Sequence, residues 1–159
     1  MGKIYMEEIS KYSPESRFFV NTKPVHYLHI GLILQALPFA RIIYCHRDLL
    51  DNCLFIYFRR YPSGVHYSYD LRSIASYYTD YQDLMAHWQQ LYGDQIYSVR
   101  YEDLVRHPAE TGAGIYEFCD LEYDATAIRV AFTTDEIGHW KHYEPYLDTL
   151  RQALGGLAR

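Results

Sequence analysis

"ARIIYCHRDLLDN", residues 40–52, is the stretch that decides the fold. Apolar and β-branched residues at 41–46 read as a buried strand that ends on His46 and Arg47. The next segment, "DLLDNCLFIYFRRY", is ambiguous, because "CLFIYF" alone fits a strand. Asp48 placed as an N-cap, with Asp51 three residues on as an acidic analogue of the capping box, turns the reading to a helix. Both carboxylates suit the positive end of that helix. A helix apolar nearly all round is expected to lie deep in a core.

Upstream, residues 3–12 read as a short helix, "RFFVN" (17–21) as a strand and "HYLHIGLILQAL" (26–37) as a helix ended by Pro38. Downstream, "YPSG" (61–64) is a turn. Ile74, Tyr77, Tyr78, Tyr81, Leu84, Met85, Trp88 and Leu91 recur at helical spacing from Asp70 to Leu91. "QIYSVR" (95–100) is a third strand, followed by "YEDLVRHP". The remainder reads as helices broken near "EYD" and "IGHW". Strands alternating with helices predict parallel βαβ units with both sheet faces covered. Ligands of open α/β sheets bind beyond the carboxyl ends of the strands. That rule predicts that Lys23, Arg47 and Tyr101 converge on one rim.

The chain has 159 residues, enough for one domain with a real core. The expected division is a helical lead-in at 1–16, an α/β core at 17–108, a helical part at 109–153 and a tail at 154–159. Fifteen Lys and Arg against 20 Asp and Glu give a formal charge of −5, which argues against a general nucleic-acid binder. The three cysteines form no C-x-x-C pair, so a disulfide framework and a zinc ribbon are not expected. No signal peptide is read at the start, and "IGLILQALPFA" is too short to span a bilayer. A cytoplasmic protein without membrane partners is the expectation.

Arg47 has two readings. A guanidinium fork beside a helix start can grip a phosphate, each charge-assisted bond contributing about 1.5–3 kcal/mol. Alternatively it pairs with Asp48, Asp51 or Glu102 and only pins the loop, and such strand-end pairs are commonplace. Lys23 is likewise either a point charge for an anion or a solvated loop lysine. His26 with His29, and His139 with His142, sit at i, i+3. Neither pair has a further ligand at suitable spacing, so no metal is expected. No G-x-S-x-G elbow or other marked nucleophile occurs.

The order "NTKPVHYLHIGLILQALPFARIIYCHRDLLDNCLFIYFRRY", then "YQDLMAHWQQLYGDQIYSVRYEDLVRHP", then "IGHWKHYEPYL" resembles the sulfotransferase family over about residues 17–153. It looks most like the bacterial branch often fused to tetratricopeptide repeats and related to tyrosylprotein sulfotransferases. The resemblance implies a P-loop-like, three-layer α/β fold with a parallel sheet, helix-rich in its C-terminal half. It implies transfer of a sulfuryl group from 3′-phosphoadenosine-5′-phosphosulfate to a hydroxyl or amine, on a small-molecule or peptidyl acceptor, without a metal. By resemblance Arg47 grips the 3′-phosphate and Tyr101 lies near the adenine. Gly138, Trp140 and Lys141 close over the nucleotide. Lys23 stands at the reaction end, with His26 where related members often carry Asn.

Three departures accompany the resemblance. The sequence shows no phosphosulfate loop of the type G-x-P-R-S-G-T-T, so the fold is expected to be truncated at its first strand. The gap would close by rearrangement, or by pairing with a second copy or a completing protein chain. Phe55 stands where the family usually has a serine. The stretch from Leu121 to Trp140 is short and lacks the expected basic residues, with Thr133 and Thr134 as weak substitutes. A non-catalytic interaction or nucleotide-binding module is the alternative.

Overall fold

The computed structural model describes residues 2–12, 14–16, 18–61, 63–124 and 134–158. Its sheet, among the described residues, has two strands, β1 (Ile42–His46) and β2 (Ile96–Arg100). They run parallel and in direct register, from Ile42 opposite Ile96 to His46 opposite Arg100. The architecture is thus α/β and helix-rich, with a small parallel sheet.

Helices α1 (Gly2–Ser10) and α2 (Ile30–Ala36) precede β1, with a 3-10 turn at Pro24–His29 leading into α2. Helix α3 (Leu49–Phe58) follows β1 at once, and its N-cap is Asp48, whose side chain accepts from the N–H groups of Leu50 and Asp51. The helical reading of that ambiguous segment therefore holds, and the cap is its cause. The long α4 (Leu71–Tyr92) starts on Asp70, whose carboxylate accepts from the Ser73 N–H. After β2 come α5 (Tyr101–Arg106), α6 (Pro108–Phe118), a 3-10 stretch at His139–Tyr146 and α7 (Asp148–Leu154).

Helix α4 is the spine. Its first half joins Ile74, Ala75 and Tyr78 to Leu50, Cys53 and Leu54 of α3 and to Leu150 and Leu154 of α7. Its second half packs Met85 with Ile30, Leu34, Tyr44 and Ile96, against α2 and the sheet. Tyr81 touches both clusters. The 3.6-residue apolar stripe predicts this arrangement, except that Leu91 and, in part, Tyr77 face solvent.

Three expectations are corrected. The first of the three strands does not form: residues 18–23 are irregular, and Val20 is 88% exposed. There the Asn21 side chain accepts from the Lys23 N–H at 3.1 Å and donates to the Tyr5 hydroxyl, and such local bonds compete with a strand ladder. Arg17 of that expected strand lies outside the described residues, as does Thr133. Second, the sheet is not covered on both faces throughout, since Cys45 and Ser98 are exposed. Third, α3 is buried on one face only, while Phe55, Tyr57 and Phe58 remain partly exposed. No described helix is long and apolar enough to cross a membrane.

Candidate functional site

The register of the sheet builds the site. His46 lies opposite Arg100, so the next residues, Arg47 and Tyr101, leave the sheet side by side at its carboxyl edge. The Arg47 guanidinium carbon lies 5.0 Å from the Tyr101 ring centre and 5.8 Å from that of Phe55. A cation within about 6 Å of an aromatic ring centre is attracted by the ring quadrupole. Its Nη2 donates to the Glu136 carbonyl at 2.6 Å and its Nη1 to the Glu136 carboxylate at 3.4 Å. Its Nε is buried and has no hydrogen-bond partner among the described residues. A cavity of about 360 Å³ opens here, lined by Cys45, His46, Arg47, Asn52, Tyr78, Tyr81 and Tyr101.

Three carboxylates fix this edge. Asp48 caps α3. Glu102, only 2% exposed, accepts from the Asp48 N–H at 2.8 Å and from Arg100 Nε at 3.2 Å. Burial pushes the Glu102 carboxyl up, but the Asp48 and Glu102 N–H groups and the charges of Arg100 and Arg47 outweigh it. The net result lies below the usual carboxylate value. Asp51, 3% exposed, accepts from the N–H of Gly138 at 2.6 Å and of Trp140 at 2.8 Å. The capping-box expectation for Asp51 is therefore overturned: Glu102 takes the Asp48 N–H, and Asp51 reaches a distant segment instead.

The sequence candidates divide. Arg47 and Tyr101 meet and share the cavity. Among the described residues Arg47 forms no ion pair with Asp48, Asp51 or Glu102; its partner is Glu136. Gly138 joins the same edge through Asp51, in a left-handed conformation (φ 75°) that suits glycine. The Trp140 ring turns to the α3–α4–α7 core, with the Arg151 guanidinium carbon 5.1 Å from its centre. Lys141 is exposed, its ammonium 6.0 Å from the Trp140 ring centre. Lys23 is exposed in the irregular segment, and its carbonyl accepts from the His26 N–H. Neither Lys23 nor His26 lines the cavity. The expected convergence of Lys23 with Arg47 and Tyr101 on one rim fails with the strand that was to carry it.

Glu136, Asn52 and the role of Asp51 escape a reading of the sequence. The partners of Asp51 lie 87 and 89 residues away, and no local pattern encodes such a pair. His139 and His142 pack ring against ring, 5.6 Å between centres. Among the described residues, no group of three or more His, Cys, Asp or Glu side chains is placed to hold a metal ion.

At the carboxyl edge of this α/β sheet a guanidinium and a phenol thus line one cavity. The sulfotransferase family model matches residues 1–125, and the chain belongs to that family. It is similar to an uncharacterized protein of Aquifex aeolicus (strain VF5), 27% identical over 173 residues. That match covers 96% of this chain and 23% of the relative, so the chain spans about a quarter of the relative's length. No solved structure matches.

Proposed function

We propose that this domain binds 3′-phosphoadenosine-5′-phosphosulfate and serves transfer of its sulfuryl group to a hydroxyl or amine. The observation that carries the reading is Arg47: a guanidinium flanked by Tyr101, on the cavity wall, with a buried Nε that has no hydrogen-bond partner among the described residues. A buried donor left unmade costs about 1–3 kcal/mol, and a phosphate oxygen would satisfy it. The Tyr101 phenol offers an aromatic face for the base. Asp51 draws Gly138 to the same edge, which supports a role for 138–141 beside the nucleotide.

In this reading Arg47 holds the 3′-phosphate in exchange for its half-exposed partner Glu136. Sulfuryl transfer proceeds through a loose transition state, so positioning and charge do most of the work. Lys23 and His26 are proposed for the reaction end, which requires residues 18–26 to close toward the edge. A second cavity of about 370 Å³, lined by Tyr44, His46, Gln82, Gln89 and Ser98, shares His46 and Tyr78 with the first. Its neutral, polar lining suits an uncharged acceptor hydroxyl. The 159 residues contain no G-x-P-R-S-G-T-T loop, so transfer calls for a further element to hold the 5′-phosphosulfate. A partner chain, a second copy or another part of a longer protein of the repeat-linked branch fits that need. Three cysteines without a C-x-x-C pair fit the reducing, cytoplasmic setting proposed here.

A thermal shift tests the reading. Adenosine 3′,5′-bisphosphate at a hundredfold over its dissociation constant should stabilise the chain by about 2.7 kcal/mol. Release of labelled sulfate onto an acceptor then separates an enzyme from a binder. The second reading, a nucleotide-binding module without transfer, is favoured by one observation: Lys23 and His26 stand apart from the cavity. Binding without transfer under all acceptors would establish it.

A further inference from the structure

Arg47 already holds an anion that belongs to the chain itself. Glu136 places two oxygens on its terminal nitrogens: the carbonyl accepts from Nη2 at 2.6 Å and the carboxylate from Nη1 at 3.4 Å. A phosphate engages a guanidinium in the same way, with two oxygens on the fork. The carboxylate contact is weak. It is longer than an ordinary hydrogen bond, and the Glu136 side chain is 49% exposed, against 15% for Arg47. The segment that carries Glu136 also has anchors of its own. Asp51 accepts the N–H groups of Gly138 and Trp140, and the Thr134 carbonyl accepts from the Ile137 N–H at 3.0 Å.

Resting on the nucleotide reading above, we propose that Glu136 is a built-in competitor of the ligand, a tethered carboxylate that occupies the Arg47 fork and sets the affinity of the site. A phosphate that takes the terminal nitrogens must first release this carboxylate to solvent. Asp51 fixes Gly138 two residues away, so the released group stays close and competes again as soon as the phosphate leaves. Affinity is thereby held below what the bare guanidinium would give, and departure of a bound nucleotide is favoured. The bland role of Glu136 is to pin its own segment against the strand end. The two roles differ in sign. Loss of a pin leaves binding unchanged or weaker, whereas loss of a competitor makes it tighter.

The test compares wild type, Glu136→Gln and Glu144→Gln in the full 159-residue chain. Calorimetry reads the affinities for adenosine 3′,5′-bisphosphate and adenosine 2′,3′-cyclic monophosphate, and melting temperatures confirm that each sample is folded. Glu136→Gln keeps the length of the side chain and its carbonyl and removes the charge. It should tighten both ligands by about 3-fold, the worth of a half-exposed ion pair. The two gains should be equal, because a competitor that leaves the fork costs every ligand the same. Glu144 pairs with Arg151, also at 3.4 Å, so Glu144→Gln removes one charge elsewhere and should leave both affinities within about 1.5-fold. A larger gain for the more highly charged bisphosphate marks Glu136 as a fixed repelling charge and overturns the exchange. A matching gain in Glu144→Gln assigns the effect to net charge and overturns it too. Unchanged or weaker binding in Glu136→Gln leaves only the pin, while wild-type binding keeps the nucleotide reading intact. Failure of both wild type and Glu136→Gln to bind the bisphosphate overturns that reading and the competitor with it.

Discussion

The carboxylate of Asp51 accepts the N–H of Gly138 at 2.6 Å, and with the Trp140 N–H at 2.8 Å it binds the first turn of α3 to a segment 87 residues downstream. Glu136, two residues before Gly138, holds the Arg47 guanidinium. The helix start and the strand end are therefore locked by one short stretch, 136–140. A carboxylate buried to this degree is tolerated because both its oxygens are used.

Asp51→Ala should consequently destabilise the chain by about 2–4 kcal/mol, since two part-buried N–H groups lose a charged acceptor. Urea unfolding checks this. Asp51→Asn keeps one acceptor oxygen and should cost less. Equal, small effects of both changes would show that the contact contributes little.

Arg47→Ala should abolish the thermal shift with adenosine 3′,5′-bisphosphate, an affinity loss of roughly 10²-fold for a bidentate charged contact. Arg47→Lys should recover only part of it, because an ammonium cannot reproduce the fork. Retention of the full shift in Arg47→Ala would move the phosphate site elsewhere.

The parts of this molecule legible in its sequence are those encoded by neighbours in the chain. Asp48 before an apolar run fixes the start of α3, and the stripe on α4 forecasts the spine of both core clusters. The β-branched runs at 42–46 and 96–100 forecast two parallel strands, whose register then brings Arg47 to Tyr101. "RFFVN" carries the same local signal yet forms no strand, because a strand exists only beside a partner and its pattern does not say whether one is there. The hydrogen bonds of Asp51 depart from the local pattern for a related reason. Two carboxylates compete for the Asp48 N–H, and the winner is decided by the sheet register, not by spacing along α3.

Acid should reveal the Glu102 network. Its folded carboxyl titrates below the ordinary value of 4.5, so its contribution is fully present above that value. It is lost as pH falls through the lower, folded value. Measured between pH 3 and 7, the stability gap between wild type and Glu102→Gln should be constant at the neutral end and shrink below about pH 4.5. Parallel curves across the range would show that the Asp48 and Arg100 contacts do not favour the ionised form.

Thiol labelling places the cavity in solution. Cys45 is exposed on β1 and lines the cavity with Arg47, and partial burial of its thiol pushes its pKa up. Cys53 is fully buried between α3 and α4, and burial, followed by the charge of Asp48, pushes it up to about 12. The thiolate is the reactive form, so iodoacetamide at pH 8 should modify Cys45 slowly and Cys53 only on unfolding. Cys119, half-buried and away from the cavity lining, serves as the internal reference. Saturating adenosine 3′,5′-bisphosphate should slow Cys45 several-fold relative to Cys119, because a nucleotide beside Arg47 and Tyr101 covers the shared wall. Slowing of both thiols alike would indicate general stabilisation, and slowing of neither would place any bound nucleotide outside this cavity.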